Sequence, residues 1–135
     1  MARSHPPTLL TRVRRTLREE CHVVRGDRIL VAVSGGGDSS ALLHALSCTG
    51  RRMGLSLFAH GVNHGLRQEA ADELALARDA AARCGVPYSE TQLQLQPGGN
   101  LQARARAARY AALRRAAAEV GAHWIATGHH ADDRA

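Results

Sequence analysis

A chain of 135 residues with a hydrophobic fraction of 44% has the size and composition of one globular domain with one buried core. Its formal charge of +6 comes from arginine alone, because the sequence contains no lysine, and arginine pairs well with planar anions such as phosphate. No apolar run reaches the roughly 18 residues of a membrane-spanning helix, and the first residues lack an apolar signal core, so we expect a cytoplasmic protein without a membrane segment.

The first predicted element is an amphipathic helix within residues 1–25. Its apolar positions recur at spacings of three and four, and arginines occupy the other face. A short apolar run, Arg28–Val33, follows and ends at a glycine cluster, which is typical of a strand buried on both faces of a parallel sheet. The apolar helix positions are Leu10, Val13, Leu17 and Cys21, and the arginines are Arg12, Arg15 and Arg18.

Strands and helices alternate through the rest of the chain. This alternation predicts right-handed crossovers and an α/β fold with a doubly wound parallel sheet over residues 26–135. The chain stops directly after a strand, where another helix is expected, so we expect the domain to be incomplete at its C-terminus. The predicted elements are a helix from Ala41 to a break at Thr49-Gly50, a strand over 55–62, a helix over 68–83, a strand over 88–95, a helix over 101–120 that is capped by the Asn100 side chain, and a strand over 123–127.

The most informative segment is the loop Ser34-Gly35-Gly36-Gly37-Asp38-Ser39, between the first strand and a helix. Consecutive glycines let backbone amides approach an anion, the two serines add hydroxyl donors, and the helix N-terminus adds positive charge. The loop therefore predicts a phosphate site, although its spacing is neither a Walker A motif nor a dinucleotide fingerprint. A flexible glycine-serine turn with a helix cap is the alternative interpretation.

Asp38 adds a second feature to this loop. A carboxylate beside bound phosphates repels them unless a cation lies between, and Mg²⁺ fills that role in many nucleotide sites. We therefore expect Asp38 to hold Mg²⁺ against the nucleotide.

At these residues the sequence resembles the PP-loop ATP pyrophosphatases, whose signature S-G-G-x-D-S is matched by Ser34 to Ser39. The resemblance implies a Rossmann-like nucleotide-binding domain over residues 26–135 that uses ATP and Mg²⁺, adenylates a substrate oxygen and releases pyrophosphate. Ser34, Gly35, Gly36, Gly37, Asp38 and Ser39 would bind ATP.

Three further segments are similar to the tRNA(Ile)-lysidine synthetases within that superfamily. Val62-Asn63-His64-Gly65-Leu66-Arg67 is similar to V-[DN]-H-G-L-R, Asn100 to Tyr110 to N-L-E-A-x-A-R-x-x-R-Y, and Ala126 to Asp133 to A-T-[GA]-H-H-x-D-D. The resemblance implies that His64, Arg106 and Arg109 bind substrate or phosphate, and that Asp38, Arg106, His129 and Asp133 are catalytic. Gln102 departs from the family pattern, which has Glu there. Arg104, Arg114 and Arg115 are expected to form a solvated basic face.

The last segment has an alternative interpretation as a metal site, because two histidines and two carboxylates are also the ligands of a metal-dependent hydrolase. However, adjacent histidines on an extended segment point in opposite directions. We therefore expect one of His129 and His130 to face the substrate and the other to have a structural role.

The implied function is that of a carbon–nitrogen ligase, which joins free L-lysine to C2 of the wobble cytidine of an isoleucine tRNA with a CAU anticodon. A catalytically incomplete nucleotide-binding fragment is one alternative. A related tRNA cytidine thiolase is another, but the cysteines Cys21, Cys48 and Cys84 are far apart and we expect them to be reduced and structural.

Overall fold

The computed structural model describes residues 15–20, 22–34, 37–65 and 69–127. Within these ranges, strands and α-helices alternate after a π-helical turn, Thr16–Glu20. The strands are β1 (Arg28–Val33), β2 (Ser56–Asn63), β3 (Tyr88–Gln92) and β4 (Trp124–Ala126). The α-helices are α1 (Gly37–Met53), α2 (Glu69–Cys84) and α3 (Leu101–Val120).

The strands form one parallel sheet in the order β3-β2-β1-β4. The central strand β1 pairs with β2 on one side and with β4 on the other, so that Val31 lies between Ala59 and Ala126. Every residue of β1 after Arg28 is buried. The prediction of a parallel sheet with a fully buried first strand is confirmed.

Helices cover both faces of this sheet, as expected for a doubly wound fold. On one face, Ile29 packs in a cluster that includes Leu43 of α1 and Ala81 of α2. On the other face, Leu30 packs with Leu113 of α3. These five side chains are at most 1% exposed, and the complete burial of one leucine contributes about 1.5–3 kcal/mol to folding.

The strand order reverses next to β1. The chain continues from β1 to β2 and β3 on one side of the sheet and returns to β4 on the other. The helix that follows β1 and the helix that precedes β4 lie on opposite faces. In open α/β sheets this arrangement leaves a crevice at the carboxyl ends of the two strands.

The N-terminal segment packs against the same core as the sheet. Leu17 and Val23 are 4% and 6% exposed and belong to the cluster on the α1 face, whereas Arg18 is exposed. The burial of Leu17 and the exposure of Arg18 agree with the predicted apolar and basic faces, but the other predicted positions, apart from the exposed Arg15, lie outside the described residues, so the helix within residues 1–25 stays a prediction. The division between residues 1–25 and 26–135 stays a prediction.

One predicted helix end is wrong. The helix does not break at Thr49-Gly50, because Gly50 is a buried position inside α1. A Cβ atom there would lie 3.3 Å from the Leu57 side chain, so glycine lets the helix approach β2 closely. The helix ends at Met53. It is followed by Gly54, where φ is +73°, and the Leu55 N–H donates to the Gly50 carbonyl at 2.8 Å.

The third strand and the third helix also differ from their predictions. β3 ends at Gln92 instead of residue 95, because β2 offers its last carbonyl, that of Asn63, to the Leu93 N–H. Asn100 occupies the N-cap position of α3, but its side chain makes no capping bond. Its backbone is left-handed, with φ 58° and ψ 35°, whereas a side-chain cap requires an extended backbone. Helix α1 begins at Gly37, four residues before the predicted Ala41, because the glycine and polar residues of its first turn carry no apolar signal. The remaining predicted boundaries of the strands and of α2 and α3 lie within two residues of those observed.

The two described cysteines, Cys48 and Cys84, are free thiols, in agreement with the expectation. Among the described residues, no helix is long and apolar enough to cross a membrane.

Candidate functional site

The candidate residues follow the ends of three strands, and these ends lie together at the carboxyl edge of the sheet. β1 leads to Ser34, β2 to His64 and β4 to Thr127. Because β1 and β4 are neighbours and their helices lie on opposite faces, this edge is the crevice of the fold. The segment Gly128–Asp133, with the predicted His129 and Asp133, lies outside the described residues.

The loop after β1 is held together by its two serines. The Ser34 N–H donates to the Ser39 hydroxyl oxygen at 3.1 Å, and the Ser34 hydroxyl donates to the same oxygen at 3.3 Å. Ser39 is 5% exposed, whereas Ser34 is exposed. The 3.3 Å contact is long for a bond between hydroxyls, so the Ser34 hydroxyl can exchange it for another acceptor at little cost.

Helix α1 begins inside the predicted phosphate loop. Its first residue is Gly37, so Asp38 and Ser39 belong to the first turn. The amides of a first turn have no acceptor within the helix and lie at the positive end of the helix dipole. Gly35 and Gly36 lie outside the described residues. The arrangement of strand, loop and helix N-terminus can therefore bind an anion such as phosphate.

The end of β2 is fixed by a tight turn around His64. The Gly65 N–H donates to the Asn63 side-chain oxygen at 2.9 Å, and φ at Gly65 is +71°. The Asn63 carbonyl accepts from the Leu93 N–H at 2.8 Å. The half-buried His64 is thus placed at the carboxyl edge by a turn whose backbone is bonded on both sides.

Helix α3 runs antiparallel to the strands. Its last residue, Val120, accepts from the Arg28 guanidinium at 2.9 Å, and the His123 N–H donates to the Arg28 carbonyl at 3.1 Å. Arg28 begins β1, so the C-terminal end of α3 lies at the amino edge of the sheet. The N-terminal half of the helix, with Arg106 and Arg109, therefore lies toward the carboxyl edge.

The two predicted arginines converge on one aromatic ring. The guanidinium carbons of Arg106 and Arg109 each lie 5.6 Å from the centroid of Tyr110. Arg106 is exposed and Arg109 half-buried. The geometry is that of a cation–π contact from each arginine, and it keeps two positive charges together on the N-terminal half of α3.

Arg104 does not belong to a solvated face, so this expectation is wrong. Its guanidinium reaches back along the chain, where Nε donates to the Gly99 carbonyl at 3.1 Å and Nη1 to the Gln96 carbonyl at 3.0 Å. Nη2 is enclosed and has no hydrogen-bond partner among the described residues. Arg104 therefore fixes the loop before α3, whereas Arg114 and Arg115 are exposed as expected.

His60 is a buried polar side chain that the sequence reasoning did not single out. It is 4% exposed, and its ring nitrogens lie 2.7 Å from the hydroxyl oxygens of Ser89 and Thr91 on β3. Burial lowers its pKa, although the charges of Glu119 and Glu90 oppose this effect. A neutral ring can donate to one hydroxyl and accept from the other. The signal in the sequence was the pair of hydroxyl residues at alternate positions of the neighbouring strand.

Two further features of the described residues concern metal ligands and cavities. In the described ranges, no group of three or more His, Cys, Asp or Glu side chains is arranged to hold a metal ion. A cavity of about 100 Å³ lies at the opposite, amino edge and is lined partly by Arg51, Leu55 and Cys84. It is therefore separate from the crevice at the carboxyl edge.

Comparisons with known proteins identify a family and several relatives. Residues 9–135 match the model of a family described as the PP-loop domain. A tRNA(Ile)-lysidine synthase of Symbiobacterium thermophilum is 41% identical over 134 residues, which cover 94% of this chain and 27% of that protein. One of Dehalococcoides mccartyi is 38% identical over 131 residues, covering 93% and 28%.

A solved structure shows the same fold. A U34-tRNA thiolase of Methanococcus maripaludis with its 4Fe-4S cluster superposes with a TM-score of 0.75 at 21% identity, covering 89% of this chain and 44% of that one. The chain spans between about a quarter and a third of the length of the first two synthase relatives.

Proposed function

Because the chain belongs to the PP-loop domain family, we propose that it binds ATP at the carboxyl edge of the sheet, with the phosphates at the loop from Ser34 to Ser39. The observation that carries this proposal is the position of the loop, which joins the central strand to the N-terminus of the 17-residue helix α1 beside the reversal of strand order. The amides of a helix first turn and the helix dipole act there in the same direction, and both favour an anion.

We assign Mg²⁺ to Asp38. The residue lies in the first turn of α1, where its negative charge opposes bound phosphates unless a cation intervenes. Mg²⁺ is usually held by one or two carboxylates together with phosphate oxygens, so a single carboxylate at this position fits the ion. When bound, the ion would neutralise charge on the phosphates and on the departing pyrophosphate.

We propose Arg106 and Arg109 as the second contact for the phosphates or the cytidine. Both lie on the half of α3 nearest the carboxyl edge, and a guanidinium offers a planar fork of donors to phosphate oxygens. Within the described part of the chain, no carboxylate pairs with either side chain. Their charge is therefore available to an anionic substrate.

The reaction we propose is ATP-dependent modification of the wobble cytidine of an isoleucine tRNA with a CAU anticodon, in the cytoplasm. The C2 oxygen of cytidine attacks the α-phosphorus of ATP and pyrophosphate leaves. The amine of free lysine then attacks C2, and AMP leaves with the oxygen. Adenylation makes a good leaving group, so the protein mainly has to position the reactants and offset negative charge.

The remaining assignments concern the groups nearest the base. We propose that His64 binds substrate and that His129 and Asp133 activate cytidine and lysine. His64 is held at the carboxyl edge by the turn after β2. The support for His129 and Asp133 is their position directly after β4, which ends at the same edge.

The positions of the two described thiols, those of Cys48 and Cys84, favour the ligase over a thiolase. Sulfur transfer requires a thiol or a cluster next to the bound nucleotide. Cys84 ends α2, and its carbonyl accepts from Arg51 at the amino edge of the sheet, opposite the phosphate loop. Cys48 lies in the last two turns of α1, next to His44 at 3.8 Å and far along the helix from its N-terminus. Neither thiol is placed to act at the crevice.

A nucleotide-binding fragment is the second candidate, favoured by the small share of the relatives' length that this chain spans. Such a fragment would bind ATP with Mg²⁺ without modifying tRNA.

The two candidates are separated by pyrophosphate release from labelled ATP with Mg²⁺ and the CAU isoleucine tRNA, with and without lysine. An Asp38→Ala variant is compared with Asp79→Ala, which removes an exposed carboxylate on α2. We expect release that requires tRNA, that is lost in Asp38→Ala and that persists in Asp79→Ala. ATP binding without release would identify the fragment, and no ATP binding by the unmodified chain would refute the proposed site.

A further inference from the structure

The aromatic ring of Tyr110 is the common neighbour of the two arginines proposed to bind phosphate. Arg106 precedes Tyr110 by four residues and therefore lies beside it on the helix surface, and Arg109 is its chain neighbour. Both guanidinium carbons lie at the same distance, 5.6 Å, from the ring centroid. One ring thus contacts two cations.

One side of the Tyr110 ring is packed against the core of the protein. Tyr110 is half-buried and packs against the hydrophobic cluster between α3 and the sheet, which includes Leu30, Leu113 and Ile125. These three side chains are at most 2% exposed. Because an aromatic side chain has only two rotatable bonds and one side of this one is packed, its orientation is set by the core.

No described residue neutralises the two guanidinium groups. Among the residues that the structure describes, neither Arg106 nor Arg109 forms an ion pair or a hydrogen bond. Two like charges drawn to one ring repel each other, and a shared anion relieves this repulsion. The arrangement is therefore electrostatically incomplete until an anion binds.

We infer that Tyr110 is a positioning residue that holds Arg106 and Arg109 together as one binding site for the phosphate chain of the nucleotide. This inference rests on the proposed function, because it concerns the same site. It adds that the two arginines bind the phosphate chain together as a unit. The aromatic face of residue 110, and not its hydroxyl group, holds the two guanidinium groups in place.

Preorganisation is the physical reason for such a role. A free arginine side chain samples many rotamers, and fixing it on a ligand costs entropy. Contact with a fixed ring removes part of this freedom before the ligand arrives. Phenylalanine at position 110 would keep the face that attracts the cations, whereas leucine would fill similar space without it.

The first test measures the geometry without any nucleotide. We expect the δ and ε proton resonances of Arg106 and Arg109 to be displaced upfield by the ring, relative to those of the exposed Arg114 and Arg115 on the same helix. The displacement should persist in Tyr110→Phe and vanish in Tyr110→Leu. Equal resonances for all four arginines in the unmodified protein would overturn the inference.

The second test measures function by titration with inorganic pyrophosphate and with ATP at fixed ionic strength. We expect Tyr110→Leu to weaken binding about tenfold, equivalent to about 1.4 kcal/mol, and Tyr110→Phe to restore most of the affinity. Arg106→Gln should reduce the affinity by a clearly smaller factor in the Tyr110→Leu background than in the unmodified protein, because substitutions of residues that act as a unit do not have additive effects. Full affinity of Tyr110→Leu for pyrophosphate and ATP, or additive losses of affinity in the double variant, would contradict the inference that these residues act as a unit.

Two controls keep the outcomes distinct. Circular dichroism and the unfolding midpoint show whether Tyr110→Leu is folded. If it is not, Tyr110→Met, which also lacks the aromatic face, supplies the second cycle with Arg106→Gln. Tyr88→Phe, at the other arginine-contacting tyrosine, is the matched control and should bind pyrophosphate normally. If the unmodified protein and Arg106→Gln bind ATP equally, Arg106 does not bind the nucleotide, and both the proposed role of this site and the inference about Tyr110 fail. If ATP binds measurably but the losses of affinity from Tyr110→Leu and Arg106→Gln add up, only the inference about Tyr110 fails.

Discussion

Two tyrosines of this chain contact arginines, but only one of the two clusters contains a carboxylate. In the first, the closed cluster of Arg78, Tyr88 and Glu90, one oxygen of Glu90 accepts from the Tyr88 hydroxyl at 2.8 Å and from the Arg78 guanidinium at 3.2 Å. Arg78 also lies 5.7 Å from the Tyr88 ring. Its single positive charge is balanced within the cluster.

The second, the open cluster of Arg106, Arg109 and Tyr110, holds two positive charges on one ring. The two clusters also lie at different ends of the fold, because Tyr88 begins β3 at the amino edge and Tyr110 lies on the half of α3 nearer the carboxyl edge. The comparison teaches that an arginine–tyrosine contact does not by itself indicate function. Among the described residues, the open cluster has no counter-charge and lies toward the carboxyl edge, and for these two reasons we propose it, and not the closed cluster, as a binding site.

The largest expected effect comes from removing both charges of the open cluster. Arg106→Gln combined with Arg109→Gln should weaken ATP binding at least about 100-fold, because each charge-assisted hydrogen bond to phosphate contributes about 1.5–3 kcal/mol. Calorimetric titration with ATP and Mg²⁺ measures it. Arg114→Gln with Arg115→Gln removes the same charge from an exposed part of the same helix and should change affinity less than about threefold. Equal losses in both double variants would mean that only net charge matters.

The closed cluster should instead respond to a change in packing. A Cβ atom at Gly61 would lie 2.5 Å from the Tyr88 hydroxyl oxygen and 2.7 Å from a methyl carbon of Leu74. Overpacking of this kind costs about 1–3 kcal/mol, so Gly61→Ala should lower the free energy of unfolding by about that amount in urea denaturation. Gly99→Ala is the control, because a Cβ atom there meets nothing within 4 Å. Unchanged stability in Gly61→Ala would show that Tyr88 moves freely.

A smaller effect should follow from giving the open cluster the carboxylate that it lacks. Ala103 is exposed and precedes Arg106 by three residues, so Ala103→Glu places a negative charge beside that guanidinium. We expect ATP affinity to fall roughly two- to fivefold at low salt and to recover partly as salt screens the new charge. Ala103→Gln has nearly the same shape without the charge and should bind as the unmodified chain does. If both variants bind alike, neutralisation of Arg106 is not what separates the two clusters.

The sequence predicted the elements whose signals are local. Alternating apolar runs and helical periodicities placed the strands and helices, since burial on both faces makes β1 continuously apolar and one-sided burial gives the helices their period. The loop from Ser34 to Ser39 was recognisable because its composition and its place after a strand reflect what a phosphate requires. The open cluster was predicted only as two arginines, Arg106 and Arg109, that the resemblance implies bind substrate or phosphate.

The errors concern residues whose role is set by distant neighbours. Gly50 looked like a helix end, but it is required by the close approach of Leu57 from β2. Arg104 looked solvated, because nothing in its helical spacing shows that the carbonyls of Gln96 and Gly99 turn back toward it. His60 was not singled out, because its partners are set by the register of β3. Helical and strand periods carry no information about such contacts.

The smallest expected effect tests the balance of charge in the closed cluster. Burial, followed by the hydrogen bond and charge of Glu90, raises the pKa of Tyr88 well above its ordinary value of 10.0. Tyr88 is the only tyrosine in a Tyr110→Phe background, because the chain has two, so ultraviolet titration of the phenolate reports on it alone. Glu90→Gln should lower this pKa and leave it above the ordinary value, since burial is the larger cause.

The sign of the accompanying pH dependence follows from the same shift. A raised pKa means that the folded protein holds the phenolic proton more tightly than the unfolded chain does. The resulting stability is fully present below pH 10 and is lost as the pH rises further, and Glu90→Gln should make that loss smaller. Near neutral pH, Glu90→Gln should lower the free energy of unfolding by less than about 1 kcal/mol, because the side chains of Arg78 and Glu90 are 57% and 37% exposed and solvent weakens their ion pair. A pKa unaffected by Glu90→Gln would mean that the carboxylate neutralises Arg78 without constraining Tyr88, and the closed cluster would then be an ion pair beside a ring.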